Sequence, residues 1–153
     1  MQKEMKNNEL FIGALLNIYN FPNDNPQEKD LFPAMVSSVS VFDPFKAPDD
    51  VHLELVIPKT KGIASRPMDT CMPIPVDAGW LMKFGFTEVE GTDSYELCTD
   101  YYELEAYEYT DSIWVVKFHN CEACFTDEKV LVTHVHELQY QLNRWQVAYE
   151  IDL

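Results

Sequence analysis

Positive charge is scarce in this chain, and scarcest where negative charge is densest. Eleven Lys and Arg stand against twenty-six Asp and Glu, a formal net charge of −15. So little positive charge argues against a protein that grips nucleic acid through its phosphates, which requires a basic surface. Long apolar runs are also missing, whereas a membrane-spanning helix needs about 20 such residues. Residues 1–9 are polar and mixed in charge, without the apolar segment and small-residue cleavage site of a secretory signal. The expectation is a cytoplasmic protein that makes no membrane contact. No Gly-x-Ser-x-Gly, phosphate loop, dinucleotide fingerprint or His-Glu-x-x-His occurs, so no common catalytic signature is present.

Glycine and proline are unevenly spread. All five glycines lie at or before Gly91 and all nine prolines at or before Pro75. In a chain of 153 residues this predicts a single domain, 1–153. Its strand-rich part spans about 9–72 and its sheet-plus-helix part about 73–153. Short strands are expected over 10–19, 34–42 and 51–57, the last with Val51, Leu53, Leu55 and Ile57 on one face. Proline and Asn/Asp clusters make 21–26 and 43–50 turns, and 58–75 a connecting loop with room for one short strand.

Past Pro75 the pattern changes. Asp77 is placed to cap a short helix over 78–84 that buries Trp80, Leu81 and Phe84, with Gly85 as a left-handed stop and Phe86 folding back. Strands follow at 94–98, 101–109 and 112–119, with Thr110-Asp111 as a hairpin turn and a fourth short strand at 123–126. Val135, Leu138, Leu142, Trp145 and Tyr149 form one stripe on a helix over 134–148, capped by Thr133. Glu137 near its start and Arg144 near its end suit the macrodipole. The fold class expected is α+β: antiparallel strands in two groups, a short helix near 77–84, and a C-terminal amphipathic helix packed on the second sheet.

Four cysteines occur, Cys71, Cys98, Cys121 and Cys124. Cys121 and Cys124 have a spacing that suits zinc, with His119, His134 and His136 as further donors, but no second Cys-x-x-Cys completes a structural site. No helix follows to lower a thiol pKa for redox work. The cysteines therefore read as reduced and partly buried. His134 and His136, two apart on a helix, should point about 200° from each other and not converge. No catalytic residue, metal or cofactor is assigned.

The acids carry the clearest signal. Residues 84–153 have a net charge of −12. Between Lys83 and Lys117 no basic residue occurs, while nine acids do: Glu88, Glu90, Asp93, Glu96, Asp100, Glu103, Glu105, Glu108 and Asp111. Tyr95, Tyr101, Tyr102, Tyr107 and Tyr109 are interleaved among them. Strand alternation puts Glu103, Glu105, Tyr107 and Tyr109 on one face and Tyr102, Leu104 and Ala106 on the core face, with Glu108 on the Leu104 side. A solvated face explains part of this pattern. An acidic, tyrosine-bearing surface also suits docking to a basic channel that otherwise holds nucleic acid. The candidate partner-binding residues are these nine acids with Tyr107 and Tyr109.

Three stretches carry a family resemblance. These are Glu9-Leu10-Phe11-Ile12-Gly13, then Pro73-Ile74-Pro75-Val76-Asp77 leading into Trp80-Leu81-Met82-Lys83-Phe84-Gly85-Phe86, and finally Val135-His136-Glu137-Leu138-Gln139. Their order resembles small uncharacterised proteins of phages, prophages and other mobile elements of gut-type and related bacteria. Those proteins share a Leu-x-Ile-Gly strand, an Ile-Pro helix start, a Gly-Phe helix end and a His-x-Leu-Gln helix. This chain departs from them in the proline-bearing insert between Ile12 and Pro73, and again after Gln139. The resemblance implies a mobile-element origin, an α+β fold and a place in the host-cell cytoplasm. It implies no activity.

The function expected is therefore that of an acidic interaction protein, not an enzyme, that inhibits a host immune nuclease of the CRISPR or restriction type. Two alternatives stand beside it. One is a sponge for a nucleotide second messenger, for which 20 aromatic residues could line a pocket but eleven Lys and Arg supply few phosphate donors. The other is a metal-dependent hydrolase built on His119, Cys121, Cys124 and His134.

Overall fold

Four prolines of the first half, Pro33, Pro48, Pro67 and Pro73, lie inside strands. The structure, a computed structural model, describes residues 13–19, 31–43, 47–57, 60–122 and 127–151. The chain divides into two compact units, Met1–Ile74 with Leu153, and Pro75–Asp152. Each is built on a five-stranded antiparallel sheet, and among the described residues the helices are short, so the architecture is α+β.

In the first unit, strands β1 (Leu15–Tyr19), β2 (Leu31–Asp43), β3 (Ala47–Ile57), β4 (Gly62–Pro67) and β5 (Met72–Pro73) take the order β4-β3-β2-β1-β5. Residues 10–12 of the first expected strand and the turn 21–26 lie outside the described residues. β2 and β3 run to 13 and 11 residues, longer than the short strands expected. Pro33 of β2 lies opposite Asn17 of β1, and among the described residues the pairing of β2 with β3 starts at Met35. Segment 58–75 contributes two strands rather than one, β4 and β5, joined through a 3-10 turn at Met68–Thr70. Leu16, Ile18, Ala34, Val36, Leu53 and Leu55 form the core of this unit, with Val51 and Ile57 partly buried against it as their alternation predicts.

The second unit runs α1 (Ala78–Lys83), β6 (Thr87–Glu88), β7 (Ser94–Cys98), β8 (Tyr102–Thr110), β9 (Ile113–Asn120), β10 (Asp127–Val132) and α2 (Val135–Arg144). Its sheet order is β10-β9-β8-β7-β6. Asp77 caps α1, its Oδ1 accepting from the Trp80 amide at 2.9 Å. Leu81 and Phe84 are buried as expected, but Trp80 is only half-buried, with the Lys83 ammonium 4.7 Å from its ring centroid. Residues 123–126, expected as a fourth strand, lie outside the described residues; the strand that pairs with β9 is Asp127–Val132.

α2 stops at Arg144, short of the expected 148. Gln146 adopts a left-handed φ of 58°, the Val147 amide donates to the Leu142 carbonyl at 2.9 Å and the Gln146 amide to Asn143 at 3.0 Å. That pair of bonds closes a helix end. Tyr149 therefore leaves the stripe, and its ring meets the edge of Phe84 at 5.0 Å. The rest of the stripe is buried: Val135, Leu138 and Leu142 fully, and Trp145 stacked on Phe118 of β9 at 4.9 Å. The cap is His134, one residue later than expected, because Glu137 Oε2 accepts from both the Thr133 and His134 amides, at 2.7 and 3.2 Å. No helix among the described residues is long and apolar enough to cross a membrane.

Candidate functional site

β8 lies between β7 and β9, so its alternation decides where the acids go. Leu104 and Ala106 are buried on its inner face, beside Val116 and Phe118 of β9. On the outer face, strand register builds three cross-strand rows. The first is Glu96, Glu105, Lys117, Lys129; the second Cys98, Glu103, His119, Asp127; the third Ser94, Tyr107, Val115, Leu131. Much of this face lines a shallow groove of about 450 Å³.

The outer face is polarised rather than uniformly acidic. Glu96, Glu103 and Glu105 hold its β7–β8 half, while Lys117, His119 and Lys129, with Asp127, come from β9 and β10. Lys117 Nζ donates to Glu105 Oε2 at 2.6 Å and lies 5.0 Å from the Tyr107 ring centroid. The Glu105 hydrogen bond raises the lysine pKa. His119 Nδ1 is paired with Asp127 Oδ1, and that hydrogen bond raises the histidine pKa above its ordinary 6.5. Glu105 is the only one of the nine acids between Lys83 and Lys117 with an ion pair among the described residues.

Most of the remaining acids collect elsewhere. A register shift after Glu108 and the left-handed Ser112, φ 63°, turn β8 into β9. The hairpin centre is thus Asp111-Ser112, one residue beyond the expected Thr110-Asp111, because Thr110 still pairs with Ile113. Glu108 Oε1 accepts from the Ser112 amide at 3.0 Å. Glu108 and Asp111 then line an open cleft of about 630 Å³ together with Glu88, Asp93 and the helix cap Asp77. Its aromatic walls are Tyr95, Tyr109 and Trp114, and among the described residues no Lys or Arg lines it. Trp114 is fixed there by donating Nε1–H to the Val76 carbonyl at 3.1 Å and by edge contact with Tyr95 at 5.8 Å. Glu90 is exposed in the turn between β6 and β7, beside this end of the sheet, and Asp100 is exposed in the β7–β8 turn at the other end. Of the acids at the cleft, Asp77 was legible from sequence only as a helix cap.

Among the described residues, the cysteines and histidines do not gather into one site. Cys71 is buried in the first unit, and burial pushes its thiol up to about 11. Cys98 and Cys121 are exposed in the second, and Cys124 lies outside the described residues. Desolvation and then Glu96 and Glu103 raise the Cys98 pKa. Among the described residues, no group of three or more His, Cys, Asp and Glu could hold a metal ion. His134 and His136 do meet, contrary to the helical projection: their rings stack at 5.8 Å with 19° between planes. The projection fails because His134, as N-cap, has extended φ and ψ of −130° and 153°. His134 Nδ1 is held 2.7 Å from Thr133 Oγ1 and His136 is buried, an arrangement that belongs to the start of α2. No protein-family model, curated protein or solved structure matches this chain.

Proposed function

We propose that this chain is an acidic interaction protein that works in the host-cell cytoplasm by covering a basic nucleic-acid-binding surface, in the first instance that of a host immune nuclease. The observation that carries the reading is the cleft where Glu88, Asp93, Glu108 and Asp111 gather with Asp77 and, among the described residues, no cation. Like charges packed together cost stability, so a face needed only for solubility would spread them. Carboxylates around aromatic walls offer Lys and Arg side chains both charge and a ring face. Two of these carboxylates, Asp77 and Glu108, are held by backbone amides, and groups fixed before binding lose less entropy on association. The outer face suits this role less well, since its own Lys117 neutralises Glu105. The resemblance to mobile-element proteins is what narrows the partner to a defence nuclease.

Capture from a host lysate tests the reading. At low salt the chain should retain a nuclease or another protein with a basic channel, and lose it at high salt. The variant Glu88→Lys/Asp93→Lys/Asp111→Lys should retain none. Equal capture by wild type and variant would remove the cleft from the account.

A further inference from the structure

The first outer row reads Glu96, Glu105, Lys117, Lys129 across β7, β8, β9 and β10. Only its middle contact is attractive. Glu96 stands directly opposite Glu105, and Lys129 directly opposite Lys117, and like charges in such pairs destabilise a sheet. The row is antisymmetric about a line between β8 and β9: negative on one side, positive on the other. Beside it runs the row of Ser94, Tyr107, Val115 and Leu131, in which Val115 is buried and Leu131 is 63% exposed.

We propose that two copies of this chain pair face to face through this outer face, about a two-fold axis that runs along the strands between β8 and β9. Such an axis lays β7 over the partner's β10 and β8 over the partner's β9. Glu96 then faces the partner's Lys129, and Glu105 faces the partner's Lys117. Both like-charge pairs gain opposite charges, and the Glu105–Lys117 pair joins its copy in a four-charge network. In the row on one side Glu103 faces the partner's His119, and in the row on the other side exposed Leu131 is covered against the partner's Ser94. Every charged match holds twice, as an isologous interface requires. Near-parallel strands are also the ordinary geometry for two sheets packed face to face. The acidic cleft is lined by other residues, so a dimer would carry two such clefts.

Sedimentation equilibrium of the full chain over a range of concentrations tests the proposal. Wild type should form a reversible dimer that weakens as salt rises. Glu96→Lys/Glu105→Lys and Lys117→Glu/Lys129→Glu should each be monomeric, because each face would then repel its copy. An equimolar mixture of the two should regain a dimer, which would also show that both variants fold. Where a double variant fails to fold by circular dichroism, Lys129→Glu at the exposed edge serves instead and should weaken association about tenfold. Wild type that stays monomeric up to about 1 mM, the weak end of specific association, would overturn the proposal. So would charge variants that dimerise like wild type, or a mixture of folded variants that does not pair.

Discussion

Gly85 and Gln146 occupy the same position in two helix ends, and they differ in what that position costs. Both follow the last helical turn with a left-handed φ, 93° at Gly85 and 58° at Gln146. In both, the next residue donates back to the helix, Phe86 to Leu81 at 3.1 Å and Val147 to Leu142 at 2.9 Å. Glycine adopts this conformation without a Cβ clash, and other residues pay about 1 kcal/mol. Gln146→Gly is therefore expected to stabilise the chain by about 0.5–1 kcal/mol, and Gly85→Ala to destabilise it by about 1 kcal/mol, in denaturant unfolding. The first stop was legible because glycine marks it; the second was not, because glutamine carries no such signal and the apolar stripe runs on to Tyr149. Cysteine reactivity is also set residue by residue. With its pKa near 11 and its side chain buried, Cys71 should resist alkylation at neutral pH until the chain unfolds, while exposed Cys121 reacts in the native state. Mass mapping of alkylated peptides checks this order.

Among the elements, α2 was the most legible, because a stripe of Val135, Leu138 and Leu142 at helical spacing has one way to hide. Leu138→Ala or Leu142→Ala should cost about 2–5 kcal/mol, since both side chains are fully buried. Near-neutral thermal unfolding at both positions would contradict the packing. β10 was hidden from the sequence reading: its charged residues Asp127, Glu128 and Lys129 resemble a turn until register aligns them with β9. The strand is tied to α2 through Glu128, whose Oε2 accepts from Trp145 Nε1 at 3.1 Å and also pairs with Arg144. The Trp145 bond first, and then Arg144, lowers the Glu128 pKa below its ordinary 4.5. A lowered folded-state value means that this contribution is present above the unfolded pKa and is lost as pH falls through the folded one. Glu128→Gln should therefore flatten the fall in Tm below about pH 4.5. For His119, whose value is raised, the sign reverses: its pairing with Asp127 contributes below the unfolded pKa and is lost as pH rises through the folded one.

At the scale of the molecule, the charge imbalance was plain in the sequence but its arrangement was not. Counting along the chain gathers nine acids between Lys83 and Lys117. Folding sends Glu96, Glu103 and Glu105 to one face and Glu88, Asp93, Glu108 and Asp111 to a cleft at the sheet end. Lys117 and Lys129, distant in sequence, arrive beside the first group through β9 and β10. No one-dimensional window contains that compensation, which depends on strand order. The central claim is that the acidic cleft engages a basic nucleic-acid-binding surface. Its most direct test is inhibition of purified CRISPR effectors and restriction nucleases by wild type and by Glu88→Lys/Asp93→Lys/Asp111→Lys, at low and physiological salt. The account predicts that wild type inhibits at least one of these nucleases, more strongly at low salt, and that the variant, folded by circular dichroism, does not. Inhibition by the variant equal to that by wild type, or no inhibition by wild type even at low salt, would contradict it.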